Sequence, residues 1–414
     1  MRTQNALSRR SSKYRRIVFW GDITTTYNRN VLRAVTQAAQ QYPHLRIFLN
    51  QSIDLSQIHN LIKLKLSGVI VGGQLMGSPD VRPLLGALAQ HHVPIVDVSS
   101  NQASLGFPRI CPDDLEIGRM AAGYFIERGF RRLVYFGVEG QHWAWRRWQG
   151  FAARATEHRL AAEARWTATP TEISAERLLG AIVAWLHHLA RPCAIFAGVD
   201  SLAAYLIEAC QNQGLAVPED IAILGCNDDD LFGQLREPKI SSIALDTRRI
   251  GAGALTMLYC LMGRKHGSPP EDILVAPLRV VTRRSSDIFA VEDELVRAAL
   301  KLIRDRLDKY FSVKSMVRSL ATSRSTLERR FAVALGRSPA AEVRRVQMDI
   351  ARTLLQDSEL SIENVAERAG FYSRRQFTLA FHRQMGITPR AYRQAQRRGR
   401  LALLPPPPGQ RMAM

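Results

Sequence analysis

The sequence predicts a two-lobed α/β domain followed by an all-α domain built from two helix-turn-helix units. Three observations carry this: β-then-α alternation over residues 17–286, helical texture with an internal repeat beyond about residue 300, and a lopsided charge. At 414 residues the chain exceeds one ordinary core of roughly 100–200 residues, so two or three domains are expected. The net charge of +20 is held unevenly. Residues 1–16 carry six basic side chains and no acid, residues 17–290 carry 27 basic against 25 acidic, and residues 291–414 carry 24 against 12. A near-neutral body with a basic C-terminal third points to a polyanionic partner at that end, most simply nucleic acid.

The same reading sets several classes aside. No run approaches the roughly 18 apolar residues needed to cross a bilayer, and the basic N-terminus leads into a strand-like segment rather than a signal-peptide core. An intracellular, cytoplasmic protein is expected. Cys111, Cys193, Cys210, Cys226 and Cys260 lie far apart with no metal-ligand spacing, so they read as packing residues. His91-His92 and His187-His188 are adjacent pairs whose side chains would point about 100° apart on a helix, which makes neither a natural bidentate site. Val69-Ile70-Val71-Gly72-Gly73 is a glycine turn after a strand and lacks the pattern of a phosphate loop. With no GxGxxG, GxSxG or HExxH either, no cofactor and no metal is expected.

Seven short apolar runs mark strands within residues 17–286: 17–20, 46–49, 69–71, 94–98, 133–136, 194–197 and 221–224. Segments of helical period separate them, such as Val31-Leu32, Val35 and Ala38-Ala39. Strands apolar on both faces, alternating with helices, form parallel sheets covered by helices, and this length suggests two such sheets.

In open α/β sheets small molecules bind beyond the carboxyl ends of the strands, and two facing sheets form a cleft. The segments following the strands are therefore the candidate site. They supply Asp22, then Trp145 and Arg147 in the aromatic stretch 137–148, then Asp200, Asn227 and Asp228. Carboxylates, an amide, an arginine and aromatic rings suit a polyhydroxylated ligand, because planar polar groups clamp hydroxyls and rings cover the apolar sugar face. Asp and Asn at strand ends also cap helices, so the clustering is what argues for a site.

Beyond Arg283-Arg284-Ser285-Ser286-Asp287 the strands vanish. Ser323-Arg324 matches Ser373-Arg374, Leu327 matches Phe377, Phe331 matches Phe381, Gly336 matches Gly386 and Pro339 matches Pro389, all at an offset of 50. Each copy reads as a helix-turn-helix. In the second, Ser361 caps a helix through Arg368, Ala369-Gly370 makes the turn, and Ser373 caps a helix to Met385. In the first, the helices fall at 313–320 and 323–335, with Ala321 in place of the turn glycine. Ser325, Glu328 and Arg329 in one copy, and Arg374, Arg375, Gln376 and Thr378 in the other, face away from Leu327, Phe331, Phe377 and Phe381. They are able to contact base edges or phosphates of double-stranded DNA. Residues 339–356 read as one long helix with Val343, Val346, Ile350 and Leu354 on a stripe, a spacer between the two recognition helices.

Residues 300–395 resemble the tandem helix-turn-helix domain of AraC-type transcription regulators, and Gly386-Ile387-Thr388-Pro389-Arg390-Ala391-Tyr392-Arg393 is similar to that family's closing motif. Residues 17–286 resemble the periplasmic-binding-protein-like effector domain of lac-repressor-type regulators. That likeness rests on Pro112-Asp113-Asp114 through Gly118-Arg119, on Arg147-Trp148-Gln149-Gly150-Phe151, and on the stretch from Val217-Pro218 to Leu224-Gly225. By position, Arg147 matches an arginine that holds sugar hydroxyls in the lac-repressor type. Three departures stand out: Asn227 occupies a place usually taken by aspartate, Val199 one often taken by an amide, and Leu379 one often polar, which implies a second unit touching backbone more than bases.

Charge and composition mark a basic tail over 1–16, a linker over 287–299 and a disordered tail over 399–414, and the resemblance implies an effector domain over 17–286 and a DNA-binding domain over 300–398. It also implies a sugar-responsive regulator, activating a sugar-utilisation operon as a homodimer in contact with operator DNA and RNA polymerase, with xylose or a related sugar as effector. A carbohydrate-processing enzyme with a nucleic-acid-binding tail is the competing class. It would need a placed acid/base pair, and the consecutive Asp228, Asp229 and Asp230 cannot all face one substrate.

Overall fold

The structure, a computed structural model, describes residues 14–50, 65–72, 82–101, 105–168, 174–235, 237–263, 271–288, 290–291, 293–305 and 312–394. The expected tail over 399–414 and all but the end of the basic tail lie outside these residues. Arg15 and Arg16 already belong to the first strand.

Strands β1 (Arg15–Trp20), β2 (Leu45–Asn50), β3 (Gly68–Val71) and β4 (Ile95–Asp97) form one parallel sheet in the order β2-β1-β3-β4. Helix α1 (Thr26–Ala39) starts where the Thr25 side chain accepts the Asn28 N–H, and it buries Val31, Ala34, Val35 and Ala38, spaced three, one and three residues apart, against that sheet. Helix α2 (Arg82–Gln90) follows β3.

The chain then crosses to a second lobe through β5 (Ile110–Pro112), which pairs in parallel with the returning β11 (Ile273–Val275). The second sheet contains β6 (Leu133–Val138), β7 (Ala162–Thr167), β8 (Cys193–Ala197), β9 (Ile221–Cys226), β10 (Ser241–Ala244) and β12 (Arg279–Val281). Its order is β12-β10-β9-β8-β6-β7, parallel except for β12. One face is covered by α3 (Asp114–Glu127) and α4 (His142–Glu157), the other by α5 (Ala175–Leu186) and α6 (Asp200–Asn212). After the short α7 (Asp230–Leu235), helix α8 (Thr247–Gly263) returns to the first lobe and packs on α1, where Gly251 leaves no room for a side chain beside Ala34 and the Val31 carbonyl. All seven expected strands are present; β5, β7, β10, β11 and β12 are additional. Cys111, Cys193, Cys210 and Cys226 are buried as expected, whereas Cys260 is exposed on α8.

Helix α9 (Glu294–Asp305) opens the C-terminal domain. It takes up residues 294–299, which were expected as linker, because Val296, Ala299, Leu300 and Ile303 form one apolar stripe that packs on Met316, Leu327 and Phe331. The first unit is α10 (Val313–Ser319) and α11 (Arg324–Leu335); the second is α13 (Ile362–Arg368) and α14 (Arg374–Met385). Between them runs α12 (Pro339–Asp357). Ser312, Ser323, Ser338, Ser361 and Ser373 each cap the following helix by accepting a backbone N–H. Ala321 adopts the left-handed conformation (φ 48°) just as Gly370 does (φ 75°), so both units turn alike. On α12 the stripe is two-sided: Val343 enters the first unit's core, while Met348, Ala351 and Leu355 enter the second's. Phe331, Phe377 and Phe381 are fully buried, each contributing about 2–3 kcal/mol of apolar burial.

Candidate effector cleft and nucleic-acid interface

In each sheet the chain reverses its direction of strand addition, between β1 and β3 in the first lobe and between β6 and β8 in the second. The carboxyl ends of these strands are where a doubly wound sheet leaves a crevice. Arg147 of α4 lies there, 4% exposed. Its Nε donates to Asp114 Oδ1 at 2.8 Å, its Nη1 to the Gly198 carbonyl at 2.6 Å, and its guanidinium lies over the Trp143 ring at 4.8 Å. The pairing depends on two glycines. A Cβ on Gly118 would lie 1.9 Å from the Arg147 carbonyl, and one on Gly150 would lie 1.9 Å from the Leu115 carbonyl, so α3 and α4 meet backbone to backbone.

Next to this pair, Asp200 is 2% exposed at the start of α6. It bonds Ser242 Oγ at 2.6 Å and accepts the Asp229 N–H at 2.8 Å. A Cβ on Gly225 would fall 2.0 Å from its Oδ1, so the β9 backbone approaches the carboxyl directly. Burial pushes the Asp200 carboxyl up to about 8, and the neighbouring Asp228 and Asp229 reinforce the shift against the pull of the Ser242 and Asp229 bonds. Asn227 (φ 105°) and Asp228 (φ 50°) hold left-handed backbone. Asp228 accepts from Arg283 Nη2 at 2.7 Å, and its N–H donates to Ser242 Oγ at 2.9 Å.

The first lobe supplies Asp22, whose carboxylate takes the Thr24 N–H at 2.8 Å and hydroxyl at 2.7 Å. The lobes meet through Thr26, which donates its hydroxyl to Asp229 and accepts from Arg29 Nη2 at 2.6 Å. At the crossover, Asp97 is wholly buried, bonded to Arg109 Nε at 2.9 Å and to the Ser99 N–H at 2.8 Å and hydroxyl at 2.7 Å. Burial raises the Asp97 and Asp114 carboxyls, opposed by Arg109 and Arg147 respectively. The Cys226 thiol beside them is pushed up to about 12 by burial and stays neutral.

Of the residues expected from sequence, Arg147, Asp200, Asn227 and Asp228 thus fall together, and Asp22 stands at the end of β1 in the facing lobe. Trp145 is apart. It is 49% exposed and lies 6.0 Å from Trp166, because two residues along α4 from Arg147 is about 200° around the helix. Neither Asp22 nor Asp200 serves as the cap of its helix; Asp229 does, accepting the Leu231 and Phe232 N–H groups. Asp97, Arg109, Asp114, Thr26, Asp229, Ser242 and Arg283 were not among the expected ligand-binding residues. Asp97 ends an apolar run and could have been, whereas Ser242 lies in a strand too polar to stand out.

On the C-terminal domain Ser325, Arg329, Arg374, Arg375 and Gln376 are exposed; Glu328 and Thr378 are half-buried. Glu328 is held by Arg324 Nε at 2.9 Å. The Gln376 side-chain oxygen accepts the Tyr372 N–H at 3.3 Å, across the turn that opens α14.

The model of a periplasmic binding protein-like domain matches residues 122–286, and that of a helix-turn-helix domain matches residues 316–395. Together with the geometry above, these make the chain a sugar-responsive transcription regulator in which a periplasmic-binding-protein-like domain precedes a helix-turn-helix domain. Its relatives include the xylose operon regulatory protein of Haemophilus influenzae, 26% identical over 395 residues, covering 92% of this chain and 99% of the relative. The xylose operon regulatory protein of Escherichia coli K12 is 27% identical over 330 residues, covering 78% of this chain and 84% of the relative. Among solved structures, that of a xylose-binding transcription activator, xylR, is similar with a TM-score of 0.57 and 26% identity, covering 92% of this chain and 98% of that one. No helix among the described residues is long and apolar enough to cross a membrane.

Proposed function

We propose that the cleft takes a pentose, xylose first among the probes, and that its closure governs how a cytoplasmic homodimer sits on two direct half-sites of operator DNA to activate transcription with RNA polymerase. The protein acts by binding, not by catalysis. The observation that carries this reading is the buried set Arg147, Asp114 and Asp200 at the carboxyl ends of the second lobe's strands, facing Asp22 across a junction that Thr26 and Asp229 close. Fixed donors and acceptors of this kind select a ligand rich in hydroxyls and leave buried polar groups unpaired with a ligand lacking them. In this reading Asp22, Arg147, Asp200, Asn227 and Asp228 hold the sugar. Ser325, Glu328, Arg329, Arg374, Arg375, Gln376 and Thr378 face the DNA.

Calorimetry against a panel of pentoses and hexoses, paired with mobility-shift titrations at several salt concentrations, tests it. One sugar should bind saturably, and operator affinity should fall steeply with salt as counterions are released. Arg147→Ala should abolish the sugar response while leaving DNA binding, and Arg329→Ala the reverse. Identical defects from both substitutions, or a flat salt response, would overturn the assignment.

A further inference from the structure

We infer that the two recognition helices read different bases from equivalent positions: Arg329 in the first unit takes a guanine, and Leu379 in the second takes a thymine methyl. The inference rests on the regulator reading above and deepens it. The buried pairs Leu327 with Phe377 and Phe331 with Phe381 hold the two helices in one register, so residue 329 of α11 corresponds to residue 379 of α14. Each sits two residues from both buried anchors, about 200° around the helix, and so on the face turned away from the core. Both are exposed.

Leu379 is 61% exposed, and its neighbours one turn away are Arg375, Gln376, His382 and Arg383, all exposed. An apolar side chain flanked by arginines, with no acid one turn away on either side, is matched to a polyanionic surface. It fits the major groove well. There the phosphates line the rims, and the C5 methyl of thymine is the apolar group that base edges offer. The arginines bear on the rims and Leu379 reaches the floor. Arg329 has no carboxylate partner among the described residues, since the nearby Glu328 is taken by Arg324. A free guanidinium at that position matches the O6 and N7 acceptors of guanine. The second unit therefore contributes sequence reading of its own, and within each half-site the segments under the two units differ at the base pair facing this position.

The test starts from duplexes selected out of a random library by the full chain in the presence of xylose. Thymines of the segment bound by the second unit are replaced one at a time by uracil, which removes only the methyl group. One replacement should weaken binding about fourfold, the equivalent of one buried methyl. Leu379→Ala should lose that sensitivity. Leu379→Arg should prefer guanine at the same pair by about tenfold. Leu379 is exposed, so both variants keep the core intact. The inference is overturned if no uracil replacement changes affinity, if Leu379→Ala keeps the wild-type sensitivity, or if selection yields no thymine in that segment. Failure of selection to enrich any sequence overturns the regulator reading itself, which is a distinguishable outcome.

Discussion

Arg345 of α12 places its Nη1 3.1 Å from Glu127, the last residue of α3, so the helix shared by both DNA-binding units is ion-paired to the effector domain. Arg345 is set in place by Glu342 at 2.8 Å and Asp349 at 2.9 Å, and Arg337 Nη2 adds a bond to the Glu127 carbonyl at 2.5 Å. The same α3 begins at Asp114, the partner of Arg147. A rod about 20 Å long therefore has the cleft at one end and the DNA-binding domain at the other.

Glu127→Gln should leave sugar affinity unchanged while reducing the sugar-dependent change in operator affinity by a factor of about five, equivalent to roughly 1 kcal/mol for a half-exposed ion pair. Operator affinity measured with and without the sugar that binds in calorimetry checks this. An unchanged ratio would show that the bridge transmits nothing.

Gly150→Ala inserts a methyl where the Leu115 carbonyl already stands. It should force α3 and α4 apart, cost about 1–3 kcal/mol in stability and weaken sugar binding through the displaced Arg147. Thermal unfolding and calorimetry on the same variant are the measurements. Wild-type values in both would mean the helices cross less closely than described.

Asp200 makes stability depend on pH in an unusual direction. Its carboxyl is raised to about 8 in the folded chain against about 3.9 unfolded, so between these values the folded state binds the extra proton. Its contribution is full below about pH 4 and is lost as pH rises toward 8. Asp200→Asn, which keeps a neutral donor and acceptor, should flatten that part of a denaturation series run from pH 5 to 8. A slope unaltered by the substitution would assign the dependence elsewhere.

Ala321 pays a steric cost that glycine avoids at φ 48°. Ala321→Gly is expected to stabilise the first unit by about 1 kcal/mol, read as a higher denaturation midpoint, with operator contacts unchanged. Destabilisation would mean that backbone entropy outweighs strain at this turn.

Much of the scaffold was legible because buried parallel strands are apolar on both faces, as in Val69-Ile70-Val71, and because serine caps recur at the offset of the repeat. The additional strands are hidden for physical reasons. β7 reads Ala-Glu-Ala-Arg-Trp-Thr and alternates, as an edge strand with one wet face does. β10 carries Ser241 and Ser242, buried but satisfied by the Arg283 backbone and by Asp200. Asp200 and Asn227 were visible just beyond strand ends, and Arg147 in the aromatic stretch that follows β6. Their partners were not, since Asp114 meets Arg147 only because two glycines let distant helices touch, and Asp229 meets Thr26 only because two lobes face each other. Trp145 was grouped with Arg147 by nearness in sequence, which a helix does not preserve around its circumference.

Helix α12 lends Val343 to one core and Met348, Ala351 and Leu355 to the other, with Ile350 packed against both. The two reading heads consequently share a rigid ruler about 28 Å long with no sliding joint. A promoter that gained or lost a single base pair between its two recognition elements would rotate one of them out of phase, so drift in target spacing is forbidden to this protein even where drift in sequence is tolerated.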